Sequence, residues 1–547
     1  MVARSKSFNT TGPCRPEMHY MLAPEARLPS RDLQRLIDEE LYWVLHAPRQ
    51  TGKTSFLMSW MRSLNASEQV VACYVSVERC QGMEEVEMSM PAICTAIRQY
   101  AGDFGVPVPD APRAGDDPGS ILTSTVKQWS ELCAPKPLVI LFDEVDTLSG
   151  QTLISFLRQL RGGFASRGVG KFPTSVALVG MRDLKDYLVH SKDGVAVNPG
   201  SPFTTEGRDA GGGAVAKPQP EGNQSWMDWF NIKKDSYTLR NFTEGEVREL
   251  LSQHTTATGQ VFTDESISEV FRLTGGQPWL VNTLADLCVT RLVTDGSAIT
   301  ADHIEAAKEE LIKSRAVHID SLAERLRDPK VKRIVQPILA GDSDPTLADG
   351  DDFRLCLDLG LVALDNGVPS IANPIYREVL IRTLNYGQQL AIPAPEFRWT
   401  KDDGDLDLEA LFDEFADFWR ENGDLWEQKA DYTEVFPQLL LMAFFQRILN
   451  GGARLTREAA VGRERMDMLI EWKGRKHIIE IKLVHPRHGR EATLKKGLKQ
   501  IAQYADKVGR DSTQTLVIFD RTPAGRALPW EERLRREQHA DVVVRWL

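Results

Sequence analysis

The first 240 residues contain four short apolar runs and a fifth short segment, SYTLR, separated by polar segments and by segments with helical periodicity. Runs that stay apolar without alternation are typical of strands buried on both faces of a parallel sheet. The first run is followed by TSFLMSWMRSL (54–64), which has the pattern of a helix. The sequence therefore predicts an α/β core with strands at 41–46, 70–78, 137–148, 175–180 and 236–240.

The pattern becomes mostly helical after residue 240. Apolar residues recur at i, i+3 and i+4 through 241–315, which predicts a helical lid on the α/β core of residues 1–240. Residues 316–390 then give two helices and a turn-rich strand pair, the outline of a winged helix. Winged helices either bind DNA or pack against ATPases, and the pattern leaves both roles open.

Two segments lack a regular apolar pattern. Residues 204–230 are rich in Gly, Pro and polar residues, so we expect a mobile insertion that cannot bury enough apolar surface to order itself. Residues 391–408 are Pro-rich and then acidic, which predicts a linker.

Residues 409–547 return to an alternation of helices and strands. A helix is predicted at 433–449, and two strands flank a tight turn in RERMDMLIEWKGRKHIIEIKLV (463–484). A helix around 498–507 and two further strands, 515–520 and 541–547, complete a predicted α/β/α layered domain.

Length and composition are those of a globular protein with about three or four domains. The chain has 547 residues and 42% apolar residues, and its apolar runs are far shorter than the roughly 20 residues that span a bilayer. The N-terminus lacks the apolar stretch of a signal peptide. Seven scattered cysteines form no CxxC pair, so we expect free thiols in a reducing cytoplasm. Because the apolar runs are short, we expect no membrane partner.

Charge is distributed unevenly along the chain. The formal net charge is −11, but residues 451–547 contain 21 Lys and Arg against 13 Asp and Glu, a net of +8. The other 450 residues contain 45 and 64, a net of −19. A basic module on an acidic body predicts that the C-terminal part meets a polyanion, although chance fluctuation would give the same pattern.

The stretch APRQTGKT (47–54) fits a phosphate-binding loop with Ala47 at the first glycine position. Gly52 allows close approach of the backbone to a phosphate, Lys53 reaches the β- and γ-phosphates, and the Thr54 hydroxyl ligates Mg²⁺. We expect ATP to be bound by Ala47, Pro48, Arg49, Gln50, Thr51, Gly52, Lys53, Thr54, Ser55, Asp143 and Arg182.

The apolar run that ends in FDEVDTL supplies the partner acids of this loop. Asp143 would hold the Mg²⁺ through water, and Glu144 would polarise the attacking water as the base. An additional strand, 70–78, lies between loop and acids in the sequence. The alternative is a nucleotide fold that no longer hydrolyses.

Several arginines are candidates for contacts with the γ-phosphate. Arg182 follows the 175–180 strand, at a position where such a sensor would lie. Arg158, Arg161 and Arg167 would serve as fingers to a neighbouring subunit of a homo-oligomer. The alternative for each is a solvated surface arginine.

The hairpin around WKGR carries a second possible site. With the turn centred on Lys473 and Gly474, paired residues sum to 947, so Asp467 lies opposite Glu480 on the face that Lys482 shares. Two such carboxylates repel each other unless a cation lies between them, and Mg²⁺ or Mn²⁺ suits hard oxygen ligands. The alternatives are a charged surface hairpin and a nuclease fold without activity.

These motifs resemble two known families over nearly the whole chain. APRQTGKTS, DEVDTL, TGGQPWLVN and NPIYREVL are similar to the AAA-like ATPases of prokaryotes, related to STAND and archaeal-type ATPases. GRERMDMLIEW, EIK, KGLKQIAQYADK and LVIFDR are similar to the PD-(D/E)xK nuclease domain often fused to them, although Met466 replaces the family's Pro.

The resemblance implies Mg-ATP binding, a winged helix and a metal-dependent nuclease. It implies that Glu434 is the first-helix acid and metal ligand beside Asp467 and Glu480, and that Gln500 and Tyr504 are accessory residues. A basic loop with His485, Arg487, His488 and Arg490 would face DNA. By analogy, the role would belong to prokaryotic defence or mobile-element biology.

Two functions from different classes remain open. The first is an ATP-regulated, metal-dependent DNA endonuclease, with RNA as the alternative substrate. The second is a STAND-like ATP-switched regulator or scaffold whose nuclease fold only binds nucleic acid. A motor-like translocase is not favoured, because the sequence contains no second ATPase core and no helicase motif.

Overall fold

The structure is a computed structural model of the chain and forms two compact units. One comprises Met1–Ser314 and Arg354–Leu361, and the other comprises Arg315–Phe353 and Val362–Leu547. The described residues are 6–23, 27–28, 30–166, 172–181, 233–314, 325–326, 328–339, 348, 350–365, 367–380, 400–401, 403–429, 440–441, 444–445, 454–457, 460–461, 464–465, 468–484, 489–509, 511–520 and 522–547.

A five-stranded parallel sheet forms the centre of the first unit, as the apolar runs predict. Its spatial order is β2-β3-β4-β1-β5. The strands are β1 (Tyr42–His46), β2 (Val71–Ser76), β3 (Leu138–Asp143), β4 (Ser175–Gly180) and β5 (Lys233–Thr238).

The strand inserted between the phosphate loop and the acids differs from the one that sequence order indicates. The run at 70–78 becomes β2 at the edge of the sheet, whereas β4 lies between β1 and β3. Sequence order cannot show this, because a parallel strand is placed by the crossover that precedes it.

Helices cover both faces of this sheet, which explains its unbroken apolar strands. Tyr42 and Val44 of β1 join one core, and Trp43 and Leu45 join the other. In chain order the helices are α1 (Ser30–Asp38), α2 (Lys53–Ala66), α3 (Val86–Asp103), α4 (Ile121–Cys133) and α5 (Gly150–Ser166). The first core includes residues of α3, α4 and α5, and the second includes residues of α1 and α2.

Four helices follow β5, as the helical periodicity predicts. The Thr243 hydroxyl accepts from the Glu246 amide, and the Glu246 carboxylate accepts from the Thr243 amide, so a capping box starts the first of them. Gln277 caps the third, with Pro278 as its first residue. The helices are α6 (Glu244–Thr258), α7 (Asp264–Thr274), α8 (Pro278–Leu287) and α9 (Ala301–Lys313).

Within the described part of residues 325–380, a helical segment at 374–380 follows two helices and an antiparallel hairpin. These are α10 (Pro329–Leu339), α11 (Asp351–Asp358), β6 (Val362–Asp365) and β7 (Val368–Ile371). The order of elements agrees with the predicted one. The winged-helix identity and its role stay predictions.

A six-stranded mixed sheet forms the C-terminal part of the second unit, in the order β14-β15-β13-β12-β11-β8. A separate short pair joins β9 to β10. The strands are β8 (Arg454–Arg457), β9 (Ala460–Val461), β10 (Glu464–Arg465), β11 (Met468–Trp472), β12 (Arg475–Leu483), β13 (Thr513–Phe519), β14 (Arg536–His539) and β15 (Val542–Trp546).

The predicted register of the β11–β12 hairpin is confirmed. The pairs run from Trp472–Arg475 to Met468–Ile479, so each sums to 947. Lys473 and Gly474 have φ of 47° and 85°, the left-handed geometry of a two-residue hairpin turn.

Helices contact both faces of the six-stranded sheet. Helix α12 (Leu408–Lys429) carries Phe415 and Trp419, whose rings lie 6.4 and 5.4 Å from the ring of Phe519. Helix α13 (Gly489–Val508) crosses from β12 to β13 and shares a core with Ile478 and Leu516. Two short helices, α14 (Pro523–Arg526) and α15 (Trp530–Arg533), follow β13.

The described end of the predicted linker packs on this sheet. The Trp472 indole donates to the Gly404 carbonyl at 3.0 Å, and Arg475 pairs with Asp405 at 2.5 Å. The segment from residue 400 therefore belongs to the C-terminal unit. The insertion at 204–230 and most of the helix predicted at 433–449 lie outside the described residues.

Candidate functional site

The loop from Ala47 to Gly52 leads from the end of β1 into α2. Gln50 and Gly52 both have left-handed φ, 59° and 84°. The Lys53 ammonium donates to the Ala47 carbonyl at 2.7 Å and to the Pro48 carbonyl at 2.9 Å. Burial lowers the pKa of Lys53. The predicted loop is thus a compact turn whose carbonyls are contacted by the half-buried Lys53 ammonium.

The remaining predicted loop residues have structural partners. The Thr51 hydroxyl donates to the Pro48 carbonyl at 2.8 Å. The Arg49 side chain is exposed and donates to the Met181 sulfur at 3.3 Å. The Ser55 hydroxyl accepts from the Cys14 amide at 2.9 Å, which attaches the N-terminal segment to α2.

Thr54 and Asp143 meet at the head of α2. The Thr54 hydroxyl donates to Asp143 Oδ2 at 2.8 Å, and Asp143 is 1% exposed. Burial raises the pKa of Asp143. A hydroxyl beside a carboxylate, with Lys53 one residue away, is a hard-oxygen donor set that fits Mg²⁺.

Glu144 is held by its neighbours in a defined position. The Ser76 hydroxyl donates to Glu144 Oε2 at 2.6 Å, and the Glu144 backbone is left-handed with φ of 59° and ψ of 34°. Burial raises the pKa of Glu144. Glu144 directly follows β3, and the charge of Asp143 also raises its pKa.

The fold of the first unit is assigned from three features, which are the strand order, the loop and the two acids. The first unit has a P-loop ATPase-like fold. In this core β4 lies between the strand of the phosphate loop and the strand of the acids, and Lys53 and Thr54 start the helix after the loop.

The chain is similar to solved structures at low sequence identity. The Walker-type ATPase PABY2304 of Pyrococcus abyssi is 14% identical with a TM-score of 0.44, covering 68% of this chain and 99% of its own. Cdc6p from Pyrobaculum aerophilum is 13% identical with a TM-score of 0.33, covering 66% and 95%. The Thermotoga maritima RuvB Holliday junction branch migration motor is 13% identical with a TM-score of 0.32, covering 64% and 95%.

Sequence comparison adds nothing to this fold assignment. No protein-family model matches the sequence, and no curated protein matches it. With TM-scores this low, the assignment of the P-loop core depends on strand order and loop geometry.

Four residues near the loop are absent from the sequence prediction. Arg27 donates to the Thr51 carbonyl at 2.5 Å, and Gln277 donates to the Gln50 carbonyl at 3.3 Å. Tyr74 donates to Asp143, and Ser76 donates to Glu144. A polar residue at the end of β2 was the available signal for Ser76, whereas Arg27 and Gln277 come from distant parts of the chain.

The arginine candidates divide into two groups. Arg158 and Arg161 are exposed on α5. Arg167 and Arg182 lie outside the described residues. Their roles as finger and sensor stay predictions.

Glu480 and Lys482 form the described part of the second predicted site. Glu480 is 1% exposed, and the Lys482 ammonium lies 2.5 Å from its Oε1. Both residues alternate with Ile479 and Ile481 on β12, so they share the sheet face of Ile478, which packs with α13. A buried acid next to a lysine is thus placed as the hairpin register predicts.

The two accessory candidates lie on α13, which covers this face. Tyr504 is 1% exposed and belongs to the core shared with Ile478. Gln500 lies one turn before it, and its Oε1 is buried without a hydrogen-bond partner among the described residues. A buried amide oxygen without a donor is costly in a finished core, and it is a hard ligand atom of the kind that Mg²⁺ or Mn²⁺ takes.

The metal set itself is only partly described. Asp467 and Glu434 lie outside the described residues, and within the described ranges no group of three His, Cys, Asp or Glu side chains could hold a metal. Glu480 is thus the one predicted ligand of this metal that lies within the described residues, and by itself it does not complete a metal site.

One predicted loop residue belongs to a helix instead. Arg490 is the second residue of α13, where its Nε lies 3.1 Å from Asp520 Oδ2 and its guanidinium lies 4.4 Å from the Trp546 ring centroid. The predicted loop position is therefore wrong for Arg490, because the residue lies in a helix, whereas its contact with DNA stays a prediction. His485, Arg487 and His488 lie outside the described residues.

Among the described residues, no helix combines the length and apolarity that a membrane crossing requires.

Proposed function

We propose that the first unit binds and hydrolyses ATP. The observation that carries the proposal is the 2.8 Å hydrogen bond from the Thr54 hydroxyl to Asp143, formed beside the loop that Lys53 folds over. Lys53 and the loop amides would hold the phosphates, and Thr54 and Asp143 would hold Mg²⁺, directly or through water. Bound Mg²⁺ neutralises charge on the phosphates.

Glu144 is the base in this proposal. Its carboxylate would accept a proton from the attacking water, and Ser76 fixes one of its two oxygens at 2.6 Å. The test is phosphate release by the purified chain with Mg-ATP, compared with Glu144→Gln. A chain that neither binds nor hydrolyses ATP would overturn the proposal.

We further propose that the C-terminal unit is a metal-dependent DNA endonuclease. The observation that carries this part is the hairpin register, which pairs Met468 with Ile479. Extending it by one residue, as the proposal requires, pairs Asp467 with the buried Glu480. With Glu434 and a bound Mg²⁺ or Mn²⁺, these carboxylates would hold the metal, and Lys482 would orient the attacking water.

The substrate follows from charge and not from the fold. Residues 451–547 carry a net charge of +8, which suits a polyanion, and DNA is the proposed substrate with RNA as the alternative. We propose that the ATPase regulates or positions this nuclease and forms a homo-oligomer through its own unit. Incubation with plasmid DNA, linear DNA and RNA, each with Mg²⁺ or Mn²⁺ and with or without ATP, tests these proposals together.

One observation favours the scaffold alternative. Lys482 is paired with Glu480 at 2.5 Å, and an ion pair of this geometry would also stabilise a nuclease fold that only binds nucleic acid. Binding of DNA without cleavage under every condition of the incubation would select this alternative.

A further inference from the structure

The Asp143 carboxylate is held by three donors. Its Oδ2 accepts from the Thr54 hydroxyl at 2.8 Å and from the Tyr74 hydroxyl at 3.1 Å. Its Oδ1 accepts from the Glu144 amide at 2.9 Å. Thr54 and Glu144 belong to the two motifs already described, so Tyr74 is the contact that neither motif explains.

Tyr74 comes from the neighbouring strand β2. It pairs with Leu141 of β3, and Asp143 lies two residues further along on the same face of the sheet. Tyr74 and Leu141 both belong to the core that includes α2, which begins at Lys53 and Thr54. The Tyr74 hydroxyl therefore reaches Asp143 from the side of the sheet where α2 begins.

The position of the Tyr74 ring is fixed by aromatic contacts. Tyr100 of α3 and Phe104, the residue that follows this helix, stand nearly perpendicular to it, at ring-centroid distances of 5.5 and 6.4 Å. Tyr74 is 5% exposed. A ring held in this way cannot swing away, so its hydroxyl is a preorganised donor.

We propose that Tyr74 is a positioning residue that orients Asp143 for the magnesium of the nucleotide site, an inference that rests on the proposed ATPase function. A carboxylate offers about four acceptor sites. The three donors occupy three of them and leave about one direction free, toward the metal or its water. Tyr74 fixes this direction and satisfies a buried oxygen that water cannot reach.

Removal of the Tyr74 hydroxyl should therefore weaken the binding of the metal ion and leave the phosphate contacts intact. Tyr74→Phe keeps the ring and its contacts with Tyr100 and Phe104 but takes one donor from Asp143. Loss of a partner that orients a metal ligand typically lowers metal affinity about 10–100-fold. The phosphate contacts of Lys53 and the loop amides do not involve Tyr74.

The experiment measures metal affinity and not turnover. Mn²⁺ binding is followed by electron paramagnetic resonance in the presence of a non-hydrolysable ATP analogue, and nucleotide affinity is measured in EDTA by fluorescence. Tyr42→Phe is the matched control, because Tyr42 is a buried tyrosine of β1 whose hydroxyl lies 3.3 Å from the Pro173 carbonyl, away from the loop.

The expected result is a loss of Mn²⁺ affinity of about 10-fold or more in Tyr74→Phe, with unchanged affinity for the nucleotide in EDTA and no change in Tyr42→Phe. Equal Mn²⁺ affinity in Tyr74→Phe and wild type would overturn the inference alone. If Tyr74→Phe lowered the Mn²⁺ affinity and the nucleotide affinity in EDTA equally, Tyr74 would have a structural role only, and the inference would be overturned. A wild type that binds no nucleotide would overturn the proposed ATPase function, and the inference with it.

Discussion

Lys53 donates to two carbonyls of the phosphate loop, and its replacement tests nucleotide binding directly. A hydrogen bond to a charged group contributes about 1.5–3 kcal/mol, so Lys53→Ala should lower ATP affinity by at least about 10-fold. Equilibrium binding of a fluorescent ATP analogue measures this. Lys127→Ala, at an exposed position of α4, is the control and should bind like wild type. Unchanged ATP affinity in Lys53→Ala would show that this loop does not bind the nucleotide.

Glu144→Gln separates hydrolysis from binding. The amide has the size of the carboxylate and can still accept a hydrogen bond from Ser76, but it cannot take a proton from water. General bases contribute about 10²–10⁴-fold to a rate, so the rate of phosphate release should fall by at least about 100-fold while the affinity for ATP stays unchanged. Hydrolysis at the wild-type rate would show that another group is the base.

The sequence predicts some of these residues and misses others for a physical reason. Lys53 and Thr54 follow from a local pattern, since a phosphate loop needs its residue types within a few positions. Tyr74 is 69 residues from Asp143, and Arg27 reaches a loop carbonyl 24 residues away. Such contacts exist only after the strands have been placed side by side, and no local spacing encodes them.

The start of α6 gives a prediction at the scale of an element. The hydrogen bond from Arg240 and the Thr243 cap lower the pKa of Glu246 from 4.5 to about 2, although burial acts in the opposite direction and raises it. Because the folded-state pKa is depressed, the stabilisation is fully present above the ordinary value of 4.5. It is lost as pH falls from there toward 2.

Glu246→Gln should therefore lower amide protection at the start of α6 near neutral pH. The pair is partly exposed and screened, so we expect a loss of about 1 kcal/mol, or roughly 5-fold in protection factor. The difference from wild type should disappear as pH approaches 2. Glu249→Gln, on an exposed position of the same helix, is the control. A difference that persists unchanged at low pH would contradict the assignment.

The β11–β12 hairpin gives a second prediction at this scale. Gly474 has φ of 85°, a conformation that costs other residues about 1 kcal/mol or more. Gly474→Ala should therefore increase amide exchange along Met468–Trp472 and Arg475–Leu483. Lys473→Asn is the control, because asparagine tolerates the left-handed φ of 47° at that position. Equal protection in Gly474→Ala and wild type would show that the turn does not hold the register.

Elements with a strong local signal were predictable from the sequence. The four apolar runs that become β1 to β4 and the turn at Lys473 and Gly474 each specify their structure within a few residues. The fifth strand is polar, and it lies at Lys233–Thr238 where the sequence predicts 236–240. The spatial place of β4 was not predictable, because it depends on a crossover and not on the strand. The packing of residues 400–408 on the C-terminal sheet was missed for a similar reason, since an acidic segment is typical of a linker and Asp405 is paired instead.

At the scale of the whole molecule, the uneven charge predicts how DNA binding responds to salt. Affinity should fall linearly with the logarithm of salt concentration, with a slope of about −0.9 for each phosphate contact. Lys495 and Lys499 are exposed one turn apart on α13. Their double replacement by alanine should weaken binding and reduce the slope by about 2, as measured by fluorescence anisotropy.

The matched control for this charge effect is Lys136→Ala, an exposed lysine of the acidic first unit. It should leave both the affinity and the slope unchanged. A slope near zero for the wild type would contradict the basic C-terminal surface as the DNA-binding part of the chain.

The central claim is that one chain carries two separate catalytic sites, and plasmid cleavage measured beside phosphate release tests it most directly. Wild type, Asp467→Ala and Glu480→Ala are incubated with ATP and Mg²⁺ or Mn²⁺, and both products are measured from the same preparations. We expect the wild type to cut the plasmid, both variants to lose cleavage, and all three to release phosphate at nearly equal rates. A wild type that releases phosphate but cuts no nucleic acid with either metal, with or without ATP, would contradict the claim.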